Sequence, residues 1–320
     1  MRRRAILTVE VIAMDEPDYD VVIVGGGAAG LSAALVLGRA RRRVAVVDAG
    51  SPRNAPAAHM QGFLSRDGMP PAELLAAGRA EVRGYGVALL EDRVEAIEPG
   101  FAVRLASGGV LTARRILVAT GVGDELPDIP GVRERWGRDL LHCPYCHGWE
   151  VRDQPLGVLG THPGSVLHAQ LVRQWSDDVV LFAHTLELTA DEQEGLDARG
   201  IEVVHGEVAR LVVEADRLTG VELRDGRVIA REAVFIRPGN VPHPDGLLPA
   251  LGCRLDATGF VVVDQTGRTS TPGVWAAGNV ADPRGQVITA AGAGSAAAIA
   301  VNADLVQADV HDALRRAATA

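Results

Sequence analysis

The chain has 320 residues, 47% of them hydrophobic, 37 glycine and only 4% aromatic, which suits a glycine-rich α/β protein of roughly two domains and excludes a disordered chain. Its formal net charge of −9 argues against general nucleic-acid binding, and three cysteines are too few for a secreted disulfide framework. The apolar run behind Arg2-Arg3-Arg4 is short and broken by Glu10, poor signal-peptide material, so a cytoplasmic location is expected.

The fold pattern starts near Tyr19, so residues 1–16 are expected to form a disordered tail, with Met14 an alternative start. Residues 20–24 read as a buried strand. Gly25-Gly26-Gly27-Ala28-Ala29-Gly30 follows, then an apolar helix over 31–37 and a second strand over 44–48, completing a βαβ unit. Gly25 permits the tight turn, Gly27 lets the backbone approach a pyrophosphate, and Gly30 lets helix and strand pack closely. The helix N-terminus offers free N–H groups to the phosphates. Asp48 stands close to the roughly 20-residue offset of an acidic residue that binds ribose hydroxyls. Arg41-Arg42-Arg43 is expected to solvate the helix end. Residues 92–105 alternate like paired strands, and 115–119 form another buried strand ending in Ala119-Thr120-Gly121. Pro127, Pro130 and Gly131 then mark a linker.

Next comes His142-Cys143-Pro144-Tyr145-Cys146-His147. The thiolate is the reactive form of cysteine, and a close sulfur partner with cationic or hydrogen-bonding neighbours lowers a thiol pKa from about 8.5 toward 3.5–7.5. His142 and His147 supply that bias and can carry thiol protons. Three other readings compete. CxxCH is also a c-type haem attachment pattern, but that normally requires export; zinc would need crowded His-Cys and Cys-His ligands with no second pair to complete the site. CPYC occurs in glutaredoxins, though after the first strand of a small domain and not deep in a long chain. No metal set is expected, and Cys253 reads as structural.

A second βαβ pattern follows: strand 156–160, helix 165–175, strand 179–182. Its turn, Thr161-His162-Pro163-Gly164, is not the glycine-rich one a pyrophosphate site would carry, and Pro163 lacks an N–H. Residues 271–279 return to the first pattern as a strand ending in Gly278-Asn279, and a small-residue helix is expected over 292–305. The expected fold class is α/β with two Rossmann-like dinucleotide-binding domains, the first discontinuous. No run approaches the roughly 18 continuous apolar residues of a membrane span.

In order, Gly25 to Gly30, Ala119-Thr120-Gly121, Cys143 to Cys146, the strand region 273–282 and Gln286-Val287-Ile288-Thr289 resemble the low-molecular-weight thioredoxin reductase family of FAD-dependent disulfide oxidoreductases, over essentially all the chain after Tyr19. The resemblance implies non-covalent FAD held by Gly25, Gly27, Ala28, Ala29, Gly30, Asp48, Ala49, Val94, Ala119, Thr120, Gly121, Gly278, Asn279, Gln286 and Val287. It implies an FAD-binding domain over 17–129 and 241–320, an NAD(P)-binding-like domain over 130–240 carrying the CPYC motif, and a homodimer. Asn279 departs from the family's usual Asp, though an amide still bonds ribitol. NADPH binding is disfavoured, because Phe182-Ala183-His184-Thr185-Leu186-Glu187 lacks the arginines that would neutralise a 2′-phosphate.

With HCxxCH, this combination is similar to the dithiol oxidases of gliotoxin- and holomycin-type natural product pathways. By that resemblance a small-molecule dithiol attacks Cys143, Cys146 is the flavin-proximal cysteine, and molecular oxygen is the final acceptor, giving hydrogen peroxide. His142 and His147 would handle protons, and Asp304 would orient His147 or else be a solvated helix carboxylate. The alternatives are a disulfide reductase drawing on NADPH or another donor, and a non-catalytic redox sensor or metal-binding module.

Overall fold

The computed structural model describes residues 17–319; the expectation of a disordered tail over 1–16 lies outside them. The larger sheet has seven strands. Tyr19–Val24 lies at its centre, parallel to Val44–Asp48 on one side and Val110–Val118 on the other. Ala88–Glu91 extends the first side in parallel, and Val274–Ala276 pairs in parallel with Val110–Val118 from more than 150 residues away. The expected paired strands are Val94–Glu98 and Ala102–Leu105, joined antiparallel to the same long strand. Val21, Val22, Ile23, Ile116 and Leu117 are fully buried, as strands covered on both faces must be.

The second sheet is wholly parallel: Glu202–Val204, Val179–Phe182, Leu156–Leu159, Ala233–Ile236 and the short Leu140–Leu141, in that order. A three-stranded antiparallel sheet of Val208–Glu214, Arg217–Leu223 and Val228–Ala230 leans on it. The two passages between the sheets, Val122–Glu125 and Gly239–Pro242, pair antiparallel into one ribbon. The expected boundaries at 130 and 241 flank or fall within that crossing.

Several expected elements differ in extent. The first helix is Ala28–Arg39, begun by Gly27 in an extended conformation whose carbonyl accepts from Leu31 N at 2.9 Å. The helix expected over 165–175 is Ser165–Val172, closing in i→i+3 turns at Gln174 and Trp175. The helix expected over 292–305 is Val287–Thr319. Its alanines favour helix throughout, and Arg42, taken from the sequence as solvating a helix end, ties it down: Arg42 Nε donates to Asn302 Oδ1 at 2.7 Å and its guanidinium pairs with Asp309 at 2.9 Å.

By length and composition alone this helix could cross a membrane. Its packing instead makes it part of the first domain. At Gly294 a Cβ would stand 2.0 Å from Ala29 O, so the long helix and Ala28–Arg39 meet backbone to backbone. Gly294→Ala must push them apart and is expected to destabilise the protein by about 3 kcal/mol, measured as a lower urea midpoint at unchanged slope.

Candidate active site

The C-terminal ends of the strands in both sheets open on one cleft of about 600 Å³. This is where α/β folds bind ligands. Gly25 adopts φ +105°, and its missing Cβ would lie 2.4 Å from Ala119 O; at Gly30 it would lie 1.9 Å from Gly25 O. The turn therefore closes only with glycine at both positions. Gly27 instead faces open space, with nothing within 4 Å of where its Cβ would be, so a ligand's backbone can approach it. Asp48 Oδ2 accepts from Arg79 at 2.9 Å at the same end of the cleft.

On the opposite wall Gly278, at φ +79°, brings Val274–Ala276 against the first turn: a Cβ there would lie 2.8 Å from Ala29 Cβ. Asn279 Nδ2 donates to Asp282 O and Gly285 O, both at 2.8 Å. This accounts for an amide here, since a carboxylate would face two carbonyls; Asn279 Oδ1 is left to accept from a ligand. These residues form a long cradle with phosphate-, ribose- and polyol-binding groups in order, and they fit FAD.

Cys143 and Cys146 form a disulfide with Cα atoms 5.2 Å apart, at the start of the short helix Pro144–His147. Gly148 has no room for a side chain: a Cβ would meet Pro144 O at 2.6 Å and the Trp175 ring at 2.8 Å. Tyr145 packs edge-on to that ring, with centroids 5.6 Å apart, which fixes the motif against the second sheet's helix layer. Gln286 Nε2 reaches Cys146 Sγ at 3.9 Å. Cys146 is thus the sulfur turned toward the residue expected to meet the flavin ring.

His142 follows the Leu140–Leu141 strand and stacks on Trp136, ring centroids 6.5 Å apart. Burial, helped by the positive charge of Arg53 and opposed by Asp124, lowers its pKa to about 4. Burial also lowers that of His147, with Glu150 pulling the other way. Both rings are therefore neutral at neutral pH, so each has a free lone pair to offer and no positive charge.

The structure brings Gly25, Gly27, Ala28, Ala29, Asp48, Ala119, Thr120, Gly121, Gly278, Asn279, Gln286 and Val287 to the cleft with Cys143, Cys146, His142 and His147. Four expected residues stand apart: Gly30 is buried beneath the turn, against Gly25 O, and supports the cleft without lining it. Ala49 is exposed one position beyond Asp48, and the Val94 side chain packs into the core with Val103 and Ile116. Asp304 is not placed against His147: its carboxylate accepts from Arg115 Nε at 2.6 Å and pairs with Arg268, which anchors the long C-terminal helix. In this arrangement it is a helix anchor.

Three groups in the cleft carry no motif in the sequence. Arg53 pairs with Asp124 through Nε at 2.8 Å and through its terminal nitrogen at 2.5 Å, and also donates to Asn240 Oδ1 at 3.2 Å, so one side chain clamps both crossing strands. His168 is buried, and its Nδ1 has no hydrogen-bond partner among the described residues. Arg237 lies at the end of Ala233–Ile236. Cys253 is buried, its Sγ against Thr269 Oγ1, as a structural cysteine would be.

Over residues 19–296 the chain matches the family described as pyridine nucleotide-disulphide oxidoreductase, and it belongs to that family. Members generally bind FAD. Within it the chain is thioredoxin reductase-like. It is 31% identical over 314 residues to thioredoxin reductase sirT of Leptosphaeria maculans, covering 91% of this chain and 96% of that one. Against the probable thioredoxin reductase of Arthroderma benhamiae it is 34% identical over 187 residues, 55% of this chain and 46% of that protein, so it spans about half its length. The crystal structure of HlmI aligns with a TM-score of 0.92 and 62% identity, over 94% of this chain and 96% of that one.

Proposed function

We propose that the protein is an FAD-dependent dithiol oxidase that closes a disulfide in a small-molecule dithiol, with molecular oxygen as acceptor and hydrogen peroxide as product. The observation that carries this reading is the condition of the second nucleotide turn. Gly164 N, a natural donor to a pyrophosphate, is bonded instead to His162 Nδ1 at 2.9 Å, and Pro163 has no N–H. After the next strand His184 Nδ1 accepts from Val208 N at 2.9 Å, so it braces the backbone where reductases gather cations. A chain so arranged is better suited to taking electrons from thiols than from NADPH.

Non-covalently bound FAD would take the electron pair from the enzyme dithiol and pass it to oxygen. Everything before that falls to the side chains. A substrate thiolate attacks Cys143 Sγ, the Cys143–Cys146 bond breaks, and Cys146 leaves as a thiolate. The second substrate thiol then attacks the same substrate–Cys143 disulfide, releasing the oxidised product and Cys143. The two thiol protons pass to the neutral His142 and His147. The active form is taken as a homodimer. Supporting this, Ile299, Val306, Val310 and Leu314 leave an apolar stripe exposed along the C-terminal helix.

The test is aerobic turnover of a small dithiol by the FAD-loaded protein, following oxygen uptake, peroxide and the mass of the product. One disulfide and one peroxide per oxygen are expected; flavin that stays oxidised in excess dithiol under nitrogen would sink the reading. His147→Ala should lower kcat about 10²-fold, near the low end for a lost acid/base group because His142 shares the work. Since burial lowers the His147 pKa, the acid limb of the wild-type profile should lie below the usual histidine value: activity persists above that limb and falls as pH drops through it. An acid limb unaltered by the substitution would assign His147 to packing.

A further inference from the structure

An attacking thiol must be ionised, yet an ordinary thiol is mostly protonated at neutral pH. The two histidines beside the disulfide cannot supply the positive charge that would help, because both are held neutral. Of the arginines lining the cleft, Arg53 is committed to Asp124 and Arg284 is exposed. Arg237 differs from both. It is half-buried, and among the described residues its side chain has no ion pair and no hydrogen bond. It sits at the C-terminal end of a parallel strand, the end at which such sheets place ligands.

Its position is built. The Arg237 guanidinium lies 2.6 Å from where a Gly164 Cβ would stand, so Gly164 is side-chain-free to seat it. Its charge is felt by His142, His162 and His168 alike, which puts it among three histidines. His168, whose Nδ1 is buried and has no hydrogen-bond partner among the described residues, lines the same cleft. A half-buried cation with no acidic partner among the described residues, in the cleft that holds the disulfide, is a receptor for negative charge.

We infer that Arg237 receives the incoming substrate thiolate and holds it for attack on Cys143. This rests on the proposed dithiol oxidation. No redox step is added: the thiolate forms its bond to Cys143 Sγ while the Cys143–Cys146 bond breaks, and Arg237 contributes charge only. A thiolate is a point charge, so lysine should serve in part where a neutral side chain would not.

The test uses FAD-loaded enzyme under nitrogen with 2-mercaptoethanol as probe, following the mixed disulfide on Cys143 by quenched mass analysis, a step that needs no oxygen. Arg237→Gln should slow it about 10- to 100-fold at neutral pH, the loss of one hydrogen bond to a charged group. Arg237→Lys should restore part of the rate. The wild-type rate should fall with ionic strength, and the Gln variant should lose that dependence; a structural role would not move this slope. Dihydrolipoate and dihydrolipoamide should be slowed equally. A loss confined to dihydrolipoate would assign Arg237 to a substrate carboxylate and overturn the inference, as would a Gln variant at the wild-type rate or a wild-type rate indifferent to salt. If the Gln variant does not fold, the wild-type salt dependence and the Lys variant still decide. Failure of the oxidase reading looks different: the mixed disulfide would form at an Arg237-dependent rate with no oxygen consumed.

Discussion

Cys143→Ser and Cys146→Ser are each expected to abolish dithiol oxidation, by roughly 10⁴-fold or more as for loss of an enzyme nucleophile, with FAD still bound. The retention follows from geometry. The cradle is built from the Gly25–Gly30 turn, Asp48 and Gly278 to Gln286, and the disulfide belongs to the other sheet's unit, meeting that cradle where Gln286 Nε2 reaches Cys146 Sγ. The two variants should differ in colour. Cys143→Ser keeps Cys146, the sulfur beside Gln286, and should show the long-wavelength absorption of a thiolate against oxidised flavin; Cys146→Ser should not. A band seen only in Cys146→Ser would reverse the roles of the two sulfurs. Loss of FAD from both would mean that the disulfide holds the cradle together, contrary to the contacts described.

Local chemistry made much of this fold legible. The first βαβ unit announces itself because Gly25 and Gly30 are needed for close backbone contacts within a few residues of sequence, and HCPYCH because its chemistry sits within six positions. What stayed hidden depends on partners far away in the chain. Asp304 reads as a free helix carboxylate until Arg115, 189 residues distant, is seen to claim it. Arg53 has no motif, yet it joins Asp124 and Asn240 across the two crossings between sheets. The C-terminal helix was legible as a helix and not in its length, since alanine runs mark no boundary and Arg42 and Arg114 pin Asp309 from elsewhere. Arg237 was unreadable for a similar reason: its meaning lies in the partners it lacks, and the gap at Gly164 that seats it appears only when two strands are laid side by side.

NADPH is expected to reduce the bound flavin at most slowly, whereas a suitable small dithiol reduces it rapidly and oxygen restores it. The donors a pyrophosphate would use are occupied or missing: Gly164 N is held by His162 Nδ1, and Pro163 offers none. No arginine pair follows the Val179–Phe182 strand, and His184, which stands there, is bonded through Nδ1 to Val208 N. A hydrogen bond to a charged group contributes about 1.5–3 kcal/mol. Losing two such contacts weakens binding by about two to four decades. NADH avoids the 2′-phosphate but meets the same turn, so it should fare only somewhat better. His162→Ala would release Gly164 N and leave Pro163 in place, and is expected to recover little of the binding. Stopped-flow mixing under nitrogen measures this directly: flavin bleaching by micromolar NADPH at catalytic rates would show that the second turn still grips a nucleotide, and the chain would then have to be read as a reductase.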